Sequence, residues 1–408
     1  MQSDKVVTAI EAGWVSTGGT GASNYDEFAA DTEIIAVIDA NPRSALAIEM
    51  PHCTPAAVKA GQDFTAALNG AAATLRKQKQ DGTYEQVDQL VAPYRITEGD
   101  QVTYGLFAAV ATDQISTSAD EPGLVVRNED VFVAKVVERT ALTKRLKTLL
   151  SPVLLIQTAH ADALKQALID AIAGPPKVTD TDAAGRRHEV WALGPGEVAD
   201  RLLALAGGGE LVVADGNHRS LSAQQAGLDR FLAVITTSDS VRIAPYDRLI
   251  RRWDADLPTV LTKLTEAGAG VREKPGGPEI PATGTVVLYA GGRTYEIALP
   301  AQPAGEVAQK VAQKVAQQLD HAVIERVLFG QVLGMAADDK RISYVGGDYG
   351  PSWLAAEVDA GDAVAAVLVA PVSVDDFVAV NLSREKMPRK STWFVPKARA
   401  GLVLADVR

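Results

Sequence analysis

The chain has 408 residues, enough for two or three domains, and its hydrophobic content of 47% is typical of a folded globular protein. The net charge of −11 argues against a broad nucleic-acid-binding surface but allows a local basic pocket. A single cysteine, Cys53, excludes an intrachain disulfide and a cysteine-rich metal site, and it predicts a reducing, cytoplasmic setting. The sequence contains neither an apolar run long enough to span a membrane nor a signal-peptide pattern, so we expect neither a transmembrane helix nor a signal peptide.

The N-terminal part alternates between helical and strand-like patterns. Its Gly/Ser/Thr-rich loop lacks the Gly-Lys-Ser/Thr ending of a phosphate-binding P-loop. Residues 33–51 predict a helix or strand that breaks at Asn41-Pro42, followed by a strand. Residues 54–82 predict helices, and strand-like runs follow them. This alternation predicts a mixed α/β fold.

A strand that runs into Arg127-Asn128-Glu129 carries the first candidate group. A carboxylate at a strand end, with Arg127 and Lys135 nearby in sequence, is a candidate general base or metal ligand. A solvated loop glutamate remains the alternative interpretation. After this segment, residues 136–150 predict a basic amphipathic helix whose charged side chains face solvent.

The stretch at 211–228 organises the rest of the chain. Its apolar start, Leu-Val-Val-Ala, predicts a buried strand that breaks at Asp215-Gly216, and a helix is expected from Ser220. A helix start offers unpaired N–H groups and a partial positive charge, and Gly216 lets a ligand approach the backbone. Arg219 could grip an anion, His218 could donate or accept a proton, and Asp215 could bind a metal, take a proton or cap the helix. Helix capping by Asp215, with surface roles for its neighbours, is the alternative.

The C-terminal part predicts a separate unit from residue 251, with a long helical stretch and several strands. Ser373 is expected to cap a short helix. Residues 384–404 form a basic segment that is stiffened by two prolines. This segment could deliver Lys390, Ser391 and Thr392 to an anion, or it could be an exposed basic loop.

Three motifs together resemble a large bacterial and archaeal family, known as a domain of unknown function, with the hallmark D-G-H-H-R-x-x-x-A after a strand. Here the hallmark stands as D-G-N-H-R at 215–219, with Ala223 at the expected place. The family's C-terminal signature, M-P-x-K-S-T-x-F-x-P-K and then G-L-V, matches residues 387–397 and 401–403. Its Y-D, N-P and P-Y pairs match Tyr25-Asp26, Asn41-Pro42 and Pro245-Tyr246.

The family resembles the ParB/sulfiredoxin-like nucleotide-binding fold and is related to the free serine kinases, which phosphorylate serine with ADP or ATP. The resemblance implies that Glu129 occupies the position of the catalytic glutamate in the kinase motif P-H-E. It also implies that the D-G-N-H-R turn holds nucleotide phosphates. Asp215 and His218 would act with Glu129 in catalysis, and Asp215 would hold Mg²⁺. The expected phosphate-binding residues are Gly216, Asn217, His218, Arg219 and Ser220.

The chain departs from the family pattern at several positions. Asn128 and Asn217 replace two histidines, and asparagine can form hydrogen bonds but cannot move a proton. Ser23-Asn24 replaces the usual prolines before the Y-D pair. The separation of Glu129 from Gly216 (216 − 129 = 87) predicts a sizeable insertion between the two halves of the core.

The full prediction is a mixed α/β (α+β) protein with a ParB/sulfiredoxin-like core at 96–250. An α/β segment at 1–95 precedes the core, and an α/β domain at 251–408 follows it. We expect a kinase that acts on the hydroxyl of serine or a related hydroxy amino acid and uses ATP or ADP with Mg²⁺. No nucleic-acid or membrane partner is expected, and a homodimer is left open. A non-catalytic ParB-like nucleotide-binding switch or adaptor is the alternative. Residues expected to bind substrate or form a lid are Arg127, Lys390, Ser391 and Thr392.

Overall fold

The computed structural model describes residues 5–116, 123–129, 131–300, 316–336 and 339–407. The chain divides into two compact units, Met1–Val241 with Pro396–Arg408, and Arg242–Val395. The predicted mixed α/β class is confirmed, but the units do not follow the predicted boundaries after residues 95 and 250. The reason is pairing: strands from the first 95 residues join the large sheet of the first unit, and the last strand of the chain joins a sheet of the same unit.

The first unit contains a ten-stranded mixed sheet and a four-stranded antiparallel sheet. The large sheet has the order β10-β11-β4-β5-β13-β9-β12-β7-β6, with β1 added beside β5, and the small sheet has the order β3-β2-β22-β8. The strands of this unit are β1 (Val7–Thr8), β2 (Ile10–Ser16), β3 (Tyr84–Leu90), β4 (Ala92–Glu98), β5 (Gln101–Ala111), β6 (Ile115–Ser116), β7 (Val125–Val126), β8 (Thr148–Leu149), β9 (Val153–Gln157), β10 (Val178–Thr181), β11 (Arg187–Val190), β12 (Leu211–Asp215), β13 (Arg230–Thr237) and β22 (Val403–Asp406).

The helices of the first unit pack their apolar faces against these sheets. The central strands β9 and β13 are apolar and almost entirely buried, as expected for strands covered on both faces. Short 3₁₀ turns lie at Tyr25–Glu27 and Pro51–Cys53. The helices are α1 (Asp31–Ala40), α2 (Leu46–Glu49), α3 (Pro55–Ala60), α4 (Phe64–Gln80), α5 (Val133–Leu146), α6 (Ala161–Ala171), α7 (Glu197–Ala206) and α8 (Asn217–Gln225).

The second unit has a six-stranded antiparallel sheet, ordered β16-β18-β17-β20-β15-β19, and a two-stranded sheet, β14-β21. A stretch of π-helix at Glu325–Val332 follows its second helix. The strands are β14 (Arg242–Ala244), β15 (Tyr246–Ile250), β16 (Gly270–Lys274), β17 (Thr285–Ala290), β18 (Arg293–Ala298), β19 (Ile342–Gly346), β20 (Ala365–Val369) and β21 (Trp393–Val395). The helices are α9 (Leu257–Glu266), α10 (Asp320–Ile324), α11 (Pro351–Asp359) and α12 (Val374–Leu382).

Several predicted elements are confirmed and others are wrong. Helices cover most of 54–82, and Ser373 caps its helix by accepting the Asp376 N–H at 3.0 Å. The strand expected after Asn41-Pro42 is wrong, because that apolar run forms the short buried helix α2. The single strand expected around Pro245 is two strands in different sheets. The first half of the long helical stretch, residues 301–315, lies outside the described residues.

No helix in the described ranges combines the length and apolar character needed to cross a bilayer.

Candidate functional site

The turn after β12 has the geometry of an anion site. β12 ends at Asp215, Gly216 adopts φ +100°, and α8 begins at Asn217, three residues earlier than predicted. A Cβ atom on Gly216 would lie 3.1 Å from the Arg219 guanidinium carbon, so this position favours glycine for both its backbone angle and its close packing. Among the residues that the structure describes, no side chain caps α8, and its first backbone N–H groups have no acceptor within the helix. Such a helix start attracts anions.

A neighbouring parallel strand brings the second half of the site to the same edge of the sheet. β7 and β12 pair in parallel, with Val126 opposite Val212, so the loops that follow the two strands lie at the same edge of the sheet. Asn217 Nδ2 then donates a hydrogen bond to Asn128 Oδ1 across the two loops. Arg127 Nη2 donates to the Glu129 carbonyl at 3.3 Å. The structure therefore places Glu129 one residue from a direct contact with the turn.

Arg219 points into the protein rather than towards solvent, and its side chain is 8% exposed. Its Nη2 atom donates to Asp215 Oδ2 at 2.5 Å, and Nη1 donates to Asn24 Oδ1 at 3.1 Å and to the Pro152 carbonyl. Burial opposes the guanidinium charge, but Asp215 and Asp26 more than offset it and raise the pKa of Arg219. In this geometry Arg219 holds the turn in place, whereas the predicted bidentate grip on a phosphate would require these contacts to break.

Asp215 faces two cations. Beside the Arg219 contact, its Oδ1 atom lies 3.5 Å from Lys397 Nζ, whose side chain is 9% exposed. Both carboxylate oxygens are therefore engaged by positive charge, which does not fit the predicted Mg²⁺ ligand. Within the described residues, no group of three His, Cys, Asp or Glu ligands gathers at this turn. We therefore assign no chemical step to Mg²⁺ at Asp215.

His218 is a hydrogen-bond acceptor. Its Nε2 atom accepts the backbone N–H of Phe132 at 3.0 Å, and the two rings stack at 6.0 Å between centroids. An imidazole nitrogen that accepts a hydrogen bond carries no proton, so the ring is neutral with its proton on Nδ1. His218 can thus donate through Nδ1, but the lone pair a general base would need is already used.

Ser220 is fully buried, and its hydroxyl donates to the Asn217 carbonyl at 3.1 Å. Its predicted contact with phosphate would have to come from the backbone, although its own N–H already donates to the Gly216 carbonyl at 2.9 Å. The side chain therefore stabilises the first turn of α8.

The chain matches the family described as "Protein of unknown function (DUF1015)" over residues 21–322, most of its length. It belongs to the DUF1015 family. No curated protein matches it.

Among solved structures, the DUF1015 chain is similar to the free serine kinase in complex with AMP, at 14% identity and a TM-score of 0.38. That match covers 71% of this chain and 87% of the other. A conserved hypothetical protein from Pyrococcus furiosus (14% identity, TM-score 0.36, 71% and 90% covered) and SbnI with a C-terminal truncation from Staphylococcus aureus (13% identity, TM-score 0.36, 72% and 84% covered) are also similar. At these TM-scores the similarity carries no argument about chemistry.

Two residues of this DUF1015 protein, Asn24 and Glu27, were not predicted from the sequence to belong to the site. Asn24 is fully buried, accepts from Arg219, and donates through Nδ2 to Glu27 Oε1 at 2.8 Å and to the Ala398 carbonyl at 3.2 Å. Burial raises the pKa of Glu27 to about 7, although Lys397 and the Asn24 N–H favour its ionised form. The spacing Asn24-x-x-Glu27 is a capping-box pattern that could have marked this turn. Lys397 was noticed only as part of the C-terminal motif.

The remaining predicted residues, Lys390, Ser391 and Thr392, belong to the second unit. Lys390 Nζ lies 5.2 Å from the centre of the Tyr246 ring, and Ser391 Oγ donates to the Pro388 carbonyl at 2.7 Å. Their role as a lid or substrate contact stays a prediction.

Proposed function

We propose that this protein transfers a phosphoryl group from ATP or ADP to the hydroxyl of free serine or a related hydroxy amino acid, on a ParB/sulfiredoxin-like core. One observation carries the proposal. The uncapped start of α8 lies at the carboxyl end of β12, beside the loop from β7 that carries Glu129. A binding site outside the carboxyl ends of parallel strands is the usual arrangement in α/β proteins.

In this proposal the phosphates sit on the first backbone N–H groups of α8, and Gly216 leaves space for them. Phosphoryl transfer depends mainly on positioning and on neutralising charge. His218, which accepts the Phe132 N–H, would keep that loop beside the start of α8, and Arg219 would hold Asp215, Asn24 and the turn in register. Arg127, whose guanidinium meets the Glu129 backbone, would orient the catalytic loop.

The chemical step needs one proton acceptor. The hydroxyl oxygen of the acceptor attacks the terminal phosphorus, and the bond from phosphorus to the leaving phosphate oxygen breaks as the new bond forms. Glu129 takes the hydroxyl proton in this scheme. Glu27 is the competing candidate, because a carboxyl group with a pKa of about 7 is suited to general-base work at neutral pH.

The test is to incubate the purified protein with ATP or ADP, a magnesium salt and a panel of serine, threonine and homoserine, and to detect phosphorylated product by mass spectrometry. Glu129→Gln should lower the transfer rate by about 100-fold or more while nucleotide affinity, measured by calorimetry, stays near that of wild type. Glu27→Gln is the matched variant. Loss of transfer in Glu27→Gln alone would reassign the base, and no product with any acceptor would reject the kinase.

A second function, a nucleotide-binding switch or adaptor without transfer, is favoured by the hydrogen bond between Asn128 and Asn217. Neither amide can move a proton, and the bond ties the two loops together. This alternative predicts nucleotide binding without phosphorylated product. Restoring histidine with Asn128→His and Asn217→His would then leave turnover at zero, whereas a weakened kinase should gain activity.

A further inference from the structure

Away from the turn, three metal-binding side chains of different chemistry converge. They are Asp31 at the start of α1, and His52 and Cys53 in the 3₁₀ turn at Pro51–Cys53. His52 Nε2 lies 3.7 Å from Asp31 Oδ2 and 3.7 Å from Cys53 Sγ, and all three donor atoms fall within 4.8 Å of one another. In the described part of the chain, this is the one group of its kind.

We propose that Asp31, His52 and Cys53 bind a zinc-class divalent metal ion with three protein ligands and one open position. The spacing supports this: in a tetrahedral zinc site, with zinc to sulfur at about 2.3 Å and zinc to nitrogen or oxygen at about 2.0 Å, neighbouring donors lie about 3.3 to 3.6 Å apart. The two separations to His52 Nε2, 3.7 Å each, are already close to these values, and the third, between Asp31 and Cys53, lies within 4.8 Å and would shorten around an ion.

The donor set selects the class of metal. Thiolate and imidazole ligands favour zinc, cobalt and similar ions, whereas Mg²⁺ and Ca²⁺ prefer oxygen ligands alone. The burial pattern suits a site that opens to solvent on one side. Cys53 is 1% exposed and packs in a core cluster with Ile34 and Ile38, while the Asp31 side chain is 66% exposed.

The arrangement also indicates how strong the site should be. The Nδ1 atom of His52 is buried and meets no hydrogen-bond acceptor among the described residues. A metal-bound histidine normally donates this second N–H to an acceptor that orients the ring. With three protein ligands and no such acceptor, we expect weaker binding than at four-ligand structural zinc sites.

An ion here would connect α1 to the turn before α3. Asp31 lies four residues after Glu27, in the segment that also supplies Asn24 to the candidate site. Metal binding would therefore brace that segment against the core that contains Cys53. This consequence concerns stability, so it holds whether or not the protein transfers phosphate.

The test is titration of the metal-free full-length protein with Co²⁺ alone, followed by its absorption spectrum. We expect one Co²⁺ per chain, with the thiolate charge-transfer band and visible bands of a tetrahedral site. Cys53→Ala should lose the charge-transfer band, whereas His52→Gln and Asp31→Asn keep the thiolate and should bind Co²⁺ about tenfold more weakly or worse. Asp39→Asn, on the same helix, and His160→Gln are exposed controls that should match wild type.

Asp31→Asn is the decisive variant, because Asp31 is exposed and its substitution leaves the core unchanged. Unaltered Co²⁺ affinity in this variant would overturn the three-ligand site. So would absence of the charge-transfer band in wild type, or unaltered Co²⁺ affinity in His52→Gln. Zn²⁺ should displace Co²⁺ and, at the same concentration, raise the melting temperature of wild type more than that of Asp31→Asn. None of these readouts depends on nucleotide or on phosphoryl transfer, so failure of the proposed kinase would leave them unchanged.

Discussion

Replacing Arg219 with methionine removes the guanidinium that Asp215, Asn24 and the Pro152 carbonyl share, while keeping the apolar stem. Asp215, 17% exposed, would then have one cation left among the described residues, Lys397 at 3.5 Å. Removing one partner of a buried ion pair costs about 3 to 5 kcal/mol, and each carbonyl left without its donor adds about 1 to 3 kcal/mol. The ion pair is part-buried and Lys397 stays beside Asp215, so we take the lower end of this sum and expect the free energy of unfolding to fall by about 5 kcal/mol.

The assay is urea unfolding followed by tryptophan fluorescence, with nucleotide affinity measured by calorimetry on the folded fraction. Arg201→Met, an exposed arginine on α7, is the control and should change the unfolding free energy by less than about 0.5 kcal/mol. A double-mutant cycle with Asp215→Asn should give a coupling energy of about 1.5 to 3 kcal/mol, because the two side chains share one part-buried, charge-assisted contact.

Unchanged stability with lost nucleotide affinity would refute the structural role of Arg219. If Arg219→Met unfolds like wild type but loses nucleotide affinity, the guanidinium faces the ligand, as the sequence alone predicted. Arg219→Lys sharpens the comparison, since lysine keeps the charge but cannot serve Asp215, Asn24 and Pro152 with one planar fork. It should therefore lie between wild type and Arg219→Met in stability.

Gly216→Ala should lower the free energy of unfolding by about 1 to 3 kcal/mol through its φ of +100° and weaken nucleotide binding, whereas Gly70→Ala in α4, with open space around it, should be neutral or slightly stabilising by urea unfolding. The pKa of Glu27 is about 7 against an ordinary value of 4.5, so the folded state binds more protons between these values and stability falls as pH rises through this window. Glu27→Gln should remove that loss, about 3 kcal/mol in unfolding free energy at pH 8 relative to pH 4, and an unchanged pH profile would contradict the assignment. Lys397→Met should raise the pKa of Glu27 further, visible by NMR titration. Asp215→Asn should tighten nucleotide binding several-fold by calorimetry, while loss of binding would support a metal-ligand role.

The sequence predicts helices correctly where the residues that stabilise them are close together in the chain. The helices within 54–82 were predictable because their apolar spacing is helical and each start is capped, with Asp63 accepting the Ala66 N–H at 2.8 Å and Thr54 accepting the Ala57 N–H at 3.4 Å. The strand predicted around Leu46 and Ile48 was wrong, because a short apolar segment fits a buried strand as well as a buried helix. Its burial against the core, which sequence does not display, decides in favour of α2.

The candidate site was predicted in part for the same reason. Strand, glycine turn and helix start are adjacent in sequence, so their geometry follows from residues 211–225. The contact between Asn217 and Asn128 spans 89 residues and depends on the parallel pairing of a two-residue strand with β12. The contact between Arg219 and Asn24 spans 195 residues. A capping-box spacing could mark the turn at Asn24, but no local signal reports its pairing with Arg219, which is why that contact and the inward direction of Arg219 were missed.

The charges around the turn decide how it can hold a polyanion. Arg219 and Lys397 both face Asp215, so these two cations are already matched by a carboxylate before a phosphate arrives. A phosphate that recruits either cation must compete with Asp215, whereas the uncapped amides at the start of α8 have no such competitor within the helix. Affinity should therefore come mainly from the helix start, with Asp215 working against it. This is why the direction of the Asp215→Asn effect separates charge balancing from metal binding: removing a competitor tightens binding, and removing a metal ligand weakens it.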